Sequence, residues 1–426
     1  MKFTVKSLSV TALSLLAAQG AYSTPDSRQD PGTGPSFSRV ERDAIPAAYL
    51  RKRASDNGTV TVIPMGYQDG LLTNYIELGD PQHLFEVTLD TGNGLTWVPS
   101  TKCTSKNCEG QDLYNPDESN TSKKLDLKPL EIKYEDGKCA TLDLYSENLR
   151  FYKFDMDFPL AIGGGYKIEG FDDVDGYLGN FGFGGPNGIT ATDYLHKRAL
   201  RDLERRGLIK RDTVRQVGGA ARQMGVRVGN QGSYVPDKKK RDNDFPAYCI
   251  IGGIDDNLIQ GDPVYVPLPS EEECGNDRFW KLAFNSVTLG DTQIDTQGRF
   301  AQFYSNSRYI HAPKEEAKAL HDQIGATYDE QSGFYQLPCS ETSNTPDLQF
   351  TFGSGNKATL KPTDWIKPVS EGSQDCRSYV KHLTLDTPNW LLGTAFTNPF
   401  YMIYDQVKEQ IGFGYNAGEE ITATIS

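Results

Sequence analysis

Residues 87–108 read VTLDTGNGLTWVPSTKCTSKNC, and the fold turns on how this stretch is interpreted. Phe85-Glu86-Val87-Thr88-Leu89 alternates apolar and polar side chains, the period of a half-buried strand, and runs straight into Asp90-Thr91-Gly92. A carboxylate at the end of an apolar strand, on a turn where glycine lets backbone approach closely, is held rigidly and takes hydrogen bonds from neighbouring amides. Alone, Asp-Thr-Gly is a common turn. Here it is followed by Trp97-Val98-Pro99-Ser100 and by the closely spaced Cys103 and Cys108.

Outward from this stretch the chain reads as strand. Short runs rich in Val, Ile, Tyr, Phe and Thr recur between Gly, Asp, Asn and Pro turns: Val60 to Ile63, Tyr75 to Leu78, Leu84 to Leu89, Tyr248 to Gly252, Pro263 to Leu268 and Phe279 to Leu289. An all-β, multi-sheet protein is expected. The 426 residues correspond to two or three domains at roughly 150 residues each. With 57 acidic residues against 44 basic ones, the net charge of −13 argues against nucleic acid as a partner. The five histidines are scattered and none forms a zinc-binding spacing, so no metal and no cofactor is expected.

Residues 1–23 read as a signal peptide: Lys2 and Lys6, then an apolar run from Ser7 to Ala18, then small residues. The run is too short to span a bilayer, and the polar tail from Gly418 to Ser426 is no lipid-anchor signal, so a secreted, extracellular protein without membrane attachment is expected. Residues 24–53, rich in Pro, Ser, Gly and Arg and closing on Arg51-Lys52-Arg53, read as a removable propeptide. Sequons stand at Asn57 and Asn120. One stretch breaks the strand pattern: residues 194–241 hold 14 basic residues against four acidic ones. Its first part, Arg198 to Ile209, spaces leucines like an amphipathic helix; the remainder lacks periodicity and ends on Lys238-Lys239-Lys240-Arg241, like an exposed loop open to proteolysis. The expected organisation is therefore an N-terminal lobe over 54–220, a basic inter-lobe loop over 221–247 and a C-terminal lobe over 248–426.

Seven cysteines in an exported chain imply disulfides with one thiol left over. Cys103 with Cys108 and Cys339 with Cys376 are the leading pairs, Cys249 with Cys274 is a third, and Cys139 is the odd one; sequence alone does not fix the connectivity.

The string from Val87 to Cys108 resembles the first active-site segment of the pepsin-like aspartic peptidases, including the Trp seven residues on and the small disulfide loop. Further matches follow in order. Tyr134-Glu135-Asp136-Gly137 looks like the flap hairpin, with Cys139 near its tip, and Asp175 to Gly179 like the apolar-apolar-Gly loop of the first lobe. LERRGLI (203–209) is similar to the helix and turn near the lobe boundary, Ile250 to Asp255 to the strand opening the second lobe, and Trp390 to Gly393, Tyr401 to Asp405 and Ile411 to Phe413 to its closing segments. The resemblance spans nearly all of residues 58–416 and implies a bilobal pepsin-like acid protease fold that takes a peptide as an extended strand between two lobes. It assigns Asp90 a catalytic role and Thr91, Gly92, Tyr134, Asp136 and Gly137 contact with the substrate. It implies a peptide or protein as partner; a monomer is expected.

In that family each lobe supplies one aspartate; two carboxylates held close share a proton, one activating water while the other protonates the carbonyl oxygen. Counting back from Pro313, the place of the second Asp-Thr-Gly-Thr-Ser is taken here by Tyr304-Ser305-Asn306-Ser307-Arg308. Two decoys, Asp295-Thr296-Gln297-Gly298 and Asp386-Thr387-Pro388, are displaced or interrupted. Asn93 and Gly94 also replace the small hydroxyl residues that support the first aspartate in the family. A phenol, with a reference pKa of about 10, donates a hydrogen bond but is a poor proton shuttle at acid pH. The expected function is a secreted peptidase homologue with impaired or absent catalysis and a peptide-binding cleft. An acid endopeptidase that works through Asp90 with Tyr304 or a decoy is the alternative, and a cell-wall or carbohydrate-associated scaffold is a third reading.

Overall fold

A computed structural model describes residues 51–55, 58–68, 70–134, 137–151, 154–171, 178–184, 223–229, 247–274, 280–384 and 387–426. The signal-like segment, the helix read over 198–209, Asn57, Asp136, Asp386 and most of the basic stretch lie outside these residues.

The described chain is mostly sheet, as the turn-punctuated apolar runs require. The largest sheet has 15 strands. It starts in the C-terminal half with Ile259–Pro267, Gln410–Asn416 and Phe400–Asp405, passes through Gln223–Val228, Ala247–Ile251 and Gly58–Gln68, and continues into the N-terminal half through Leu71–Leu78 and His83–Asp90. An 8-stranded sheet built on Lys281–Leu289 and Thr292–Phe303 and a 4-stranded sheet make up the rest of the C-terminal lobe. The 15-stranded sheet is thus common to both lobes, and the C-terminal lobe adds two sheets of its own. Trp280 pins them together: its ring stacks on Phe183 at 6.1 Å, meets Tyr404 edge-on at 5.1 Å, and its indole N–H donates to the Phe183 carbonyl at 2.8 Å.

Two expectations need correcting. Residues 221–247 are not loop throughout, because Gln223–Val228 is a buried strand paired to Ala247–Ile251 and to Phe400–Asp405. Met224, Val226 and Val228 give it an apolar alternation, and Arg227 is accommodated by lying over the Tyr248 ring and pairing with Glu419 at 3.1 Å. Cys249 is a free thiol buried in the core, so no bond to Cys274 forms; burial pushes the thiol up to about 12. Disulfides join Cys103 to Cys108 and Cys339 to Cys376. Cys139 stands near the tip of its hairpin, paired with Lys133 in the ladder rung next to the turn that Tyr134 and Lys138 close. Burial and the neighbouring Glu169 carboxylate, 3.5 Å from its sulfur, raise the Cys139 thiol above the usual range. The triplet Arg51-Lys52-Arg53 lies in a strand, Arg51–Ser55, paired antiparallel to Gly58–Gln68 with Arg51 opposite Val62.

His321 shows what a well-packed core costs at low pH. It lies on the buried face of the helix Lys314–Gln323, stacked flat on Tyr335 at 3.7 Å, with Nδ1 2.6 Å from the Ala317 carbonyl. Burial lowers its pKa to about 4 from an ordinary 6.5, against a smaller opposing effect of the Ala317 hydrogen bond. The folded ring stays neutral where the unfolded one would take a proton. Its contribution is therefore full above about pH 6.5 and lost as pH falls toward 4, about 3 kcal/mol in all. Urea denaturation at pH 7 and pH 4 should show that loss in the wild-type chain and a shallower one in His321→Phe; equal pH dependence in both would refute the assignment.

Candidate active site

Two strand-turn units meet at the seam between the lobes, and they are related residue by residue. His83–Asp90 runs parallel to Asn180–Gly182, with Leu89 beside Phe181 and Asp90 beside Gly182. Thr292–Phe303 runs parallel to Trp390–Leu392, with Phe303 beside Leu392, so the next residue, Tyr304, comes beside Gly393. The two glycines do the same job. A Cβ on Gly182 would strike the Asn93 carbonyl at 2.8 Å and the Leu95 nitrogen at 2.7 Å; one on Gly393 would strike the carbonyls of Ser307 and Tyr309 at 2.3 Å. Inside the turns, Leu95 N–H donates to Asn93 Oδ1 at 2.9 Å and Tyr309 N–H to Ser307 Oγ at 3.2 Å.

Across the seam the turns are locked by reciprocal bonds. Thr91 N–H donates to Ser305 Oγ at 2.9 Å, and Ser305 N–H to Thr91 Oγ1 at 3.0 Å. The Thr91 hydroxyl donates to the Phe303 carbonyl at 3.0 Å, and the Ser305 hydroxyl to the Leu89 carbonyl at 2.6 Å. Each hydroxyl reaches the residue that precedes the other lobe's central side chain. A third link, Thr88 Oγ1 to Asn306 Oδ1 at 2.8 Å, has no mirror-image partner.

The central side chains are where the likeness stops. Asp90 is wholly buried; Oδ1 accepts from Gly92 N–H at 2.8 Å and Oδ2 from the Asn180 amide at 2.9 Å. The matching position holds the Tyr304 ring, 3% exposed. A Cβ on Gly92 would lie 2.3 Å from Tyr304 Cδ2 and 3.2 Å from Asp90 Oδ1, so ring and carboxylate flank one glycine. Glycine is required there because the aromatic ring has taken the space a side chain would fill.

Above them lies the hairpin formed by Leu130–Lys133 and Cys139–Phe151. Gly137, at φ +93°, makes its turn, and a Cβ there would come 3.2 Å from Thr384 Oγ1 of the other lobe. Tyr134 points inward: its hydroxyl accepts from the Trp97 indole N–H at 2.8 Å, and its ring lies edge-on to Phe171 at 5.9 Å and 6.1 Å from that of Tyr304. Trp97, Tyr134, Tyr304, Leu95, Leu383 and Leu391 belong to one apolar cluster drawn from both lobes. The centre of the cleft is therefore filled with aromatic side chains.

Asp90, Thr91, Gly92, Tyr134, Gly137 and Tyr304 are thus brought together. Asp295 is not: it is exposed on its strand, with Oδ1 accepting from Gln297 N–H. Arg308 turns its guanidinium over the Tyr309 ring, 5.7 Å from the centroid. Asn180 and the Thr88–Asn306 link stand outside the residues that sequence reading marks as functional. The one signal for Asn180 was an amide directly after Leu178-Gly179, inside an otherwise apolar segment. No cluster of side chains suited to hold a metal occurs among the described residues, and no helix there is long and apolar enough to cross a membrane.

The site thus combines a buried carboxylate fixed by two N–H donors with a phenol at the matching turn position and an aromatic roof. The arrangement lacks the second carboxylate at the matched position that proton sharing requires.

The chain matches the eukaryotic aspartyl protease family over residues 73–157 and 238–416. It is similar to a vacuolar aspartic protease of Candida albicans, 28% identical over 363 residues that cover 82% of this chain and 77% of the relative. Gastricsin of Cavia porcellus is 24% identical over 377 residues, 86% of each chain. Renin of Canis lupus familiaris is 25% identical over 384 residues, 86% of this chain and 84% of the relative.

Proposed function

Because this chain belongs to the eukaryotic aspartyl protease family, whose pepsin-like members act on peptides, we propose that it is an exported homologue that binds extended peptide in its cleft and cleaves it poorly or not at all. The observation that carries this reading is the reciprocal Thr91–Ser305 lock, which supports reading Tyr304 as the counterpart of Asp90. In the dyad mechanism the second carboxylate is the group that shares the proton and donates it to the carbonyl oxygen. A phenol at that position stays protonated and holds no negative charge to share.

Binding makes fewer demands. A cleft between sheets takes an extended peptide through backbone hydrogen bonds, and the hairpin carrying Tyr134 stands where it would cover such a chain. Export is supported by the signal-like residues 1–23 and by the two disulfides. Isothermal titration with an apolar peptide carrying a statine residue tests the cleft. Saturable one-to-one binding is expected, weakened about tenfold by Tyr134→Ala, the loss of one buried aromatic contact. If the wild-type chain binds no such peptide at acid or neutral pH, the cleft reading fails and the scaffold reading replaces it.

A further inference from the structure

We propose that Asn120 carries an asparagine-linked glycan, on the rim of the N-terminal lobe at the end of the Asp90 strand remote from the cleft. The triplet Asn120-Thr121-Ser122 has the acceptor pattern, and neither its middle residue nor the following Lys123 is proline. The fold sorts the three side chains. Thr121 and Ser122 are half-buried, whereas Asn120 is exposed. The Thr121 hydroxyl donates to Glu147 Oε1, the Tyr114 hydroxyl donates to Glu147 Oε2 at 2.8 Å, and Ser122 Oγ lies 2.8 Å from that phenol oxygen. Glu147 is wholly buried, so one enclosed carboxylate anchors the hydroxyl half of the triplet and leaves the asparagine in solvent.

The backbone is held as firmly. Asn120 N–H donates to the Asp80 carbonyl at 2.7 Å, and Ser119 Oγ accepts from Asp80 N–H at 3.2 Å and from Thr121 N–H at 3.3 Å. A bulky sugar on Asn120 Nδ2 therefore projects from the surface without disturbing these bonds. Asp80 precedes His83–Asp90, whose eight residues at about 3.3 Å each separate this rim from Asp90 by roughly 23 Å. The glycan leaves the cleft open.

Transfer belongs to the secretory pathway and acts on the chain before it folds. Asn120 Nδ2 attacks the anomeric carbon of a polyprenyl-diphosphate-linked oligosaccharide. The new N–C bond replaces the C–O bond to the diphosphate, which leaves with the electron pair, and Nδ2 gives up one proton. The Ser122 hydroxyl is then used twice, first as part of the acceptor triplet and afterwards against Tyr114.

The inference rests on export, and the test separates the two. The full chain is secreted from yeast and treated with a peptide N-glycosidase, which turns each asparagine it strips into aspartate; gel mobility and peptide mapping follow. The wild-type chain should shift on treatment and yield aspartate at position 120. Asn120→Gln and Ser122→Ala should lose that glycan, and Ser122→Thr, which keeps a hydroxyl, should retain it. Asparagine unchanged at position 120 in secreted wild-type protein, or sugar at Asn57 alone, overturns the proposal and leaves export standing. A sugar at position 120 that survives Ser122→Ala also overturns it. An unmodified chain retained in the cells with residues 1–23 attached overturns both.

Discussion

Gly92→Ala will destabilise the fold by at least about 3 kcal/mol, the upper part of the range for overpacking a closed core. The new methyl group would sit 2.3 Å from Tyr304 Cδ2, well inside contact distance, and the ring it meets is hemmed in by Tyr134, Leu383 and Leu391. The clash belongs to the pair, so the two sites must be strongly coupled. Tyr304→Ser alone should cost about 3–5 kcal/mol for the lost aromatic packing. In the Gly92→Ala background the same change should cost at least about 2 kcal/mol less, since it also removes the clash. Urea melts of the four proteins close the cycle; additive effects would show that Tyr304 does not lie over the first turn.

Tyr304→Asp will raise peptidase activity but leave it at least about 10²-fold below that of the double variant Tyr304→Asp, Asn306→Gly. A positioned acid or base contributes about 10² to 10⁴ in rate, so supplying the carboxylate is necessary. It is not sufficient, because Asn306 holds Thr88 across the seam where the family's turn has glycine. The sequence suggests four departures around this turn, and the structure divides them. Ser305 repeats the bonding of Thr91, and Ser307 repeats that of Asn93, so both are benign. Arg308 faces Tyr309. Asn306 is the departure that remains. Kinetics on a denatured protein substrate at acid pH decide the point: single and double variants of equal activity would clear Asn306, and a double variant no faster than the wild type would mean that Tyr304 is not the missing half.

How much of this was legible beforehand depends on how local each signal is. The sheet-rich, bilobal architecture was readable because strand period and turn residues are local, and because the segment from Val87 to Cys108 combines several rare features within 22 residues. The strand Gln223–Val228 was hidden because the charge of its surroundings outweighed a three-residue apolar alternation, and because Arg227 finds its carboxylate, Glu419, only in the folded chain. Asn180 was hidden for a related reason. Its amide reaches Asp90 only after Asn180–Gly182 has settled beside His83–Asp90, a pairing between residues 90 positions apart. The third guess for a disulfide failed because Cys249 faces the core, and spacing carries no information about which way a strand residue points once register is unknown.

We propose that Asp90, set opposite the Tyr304 phenol instead of a second carboxylate, supports little or no peptidase chemistry. The direct measurement is cleavage of a denatured protein at acid pH by the wild-type chain and by Asp90→Asn, each with and without a statine-type inhibitor. The two proteins are expected to give nearly the same background rate, which the inhibitor leaves unchanged. Cleavage by the wild-type chain that the inhibitor blocks and Asp90→Asn abolishes would contradict it.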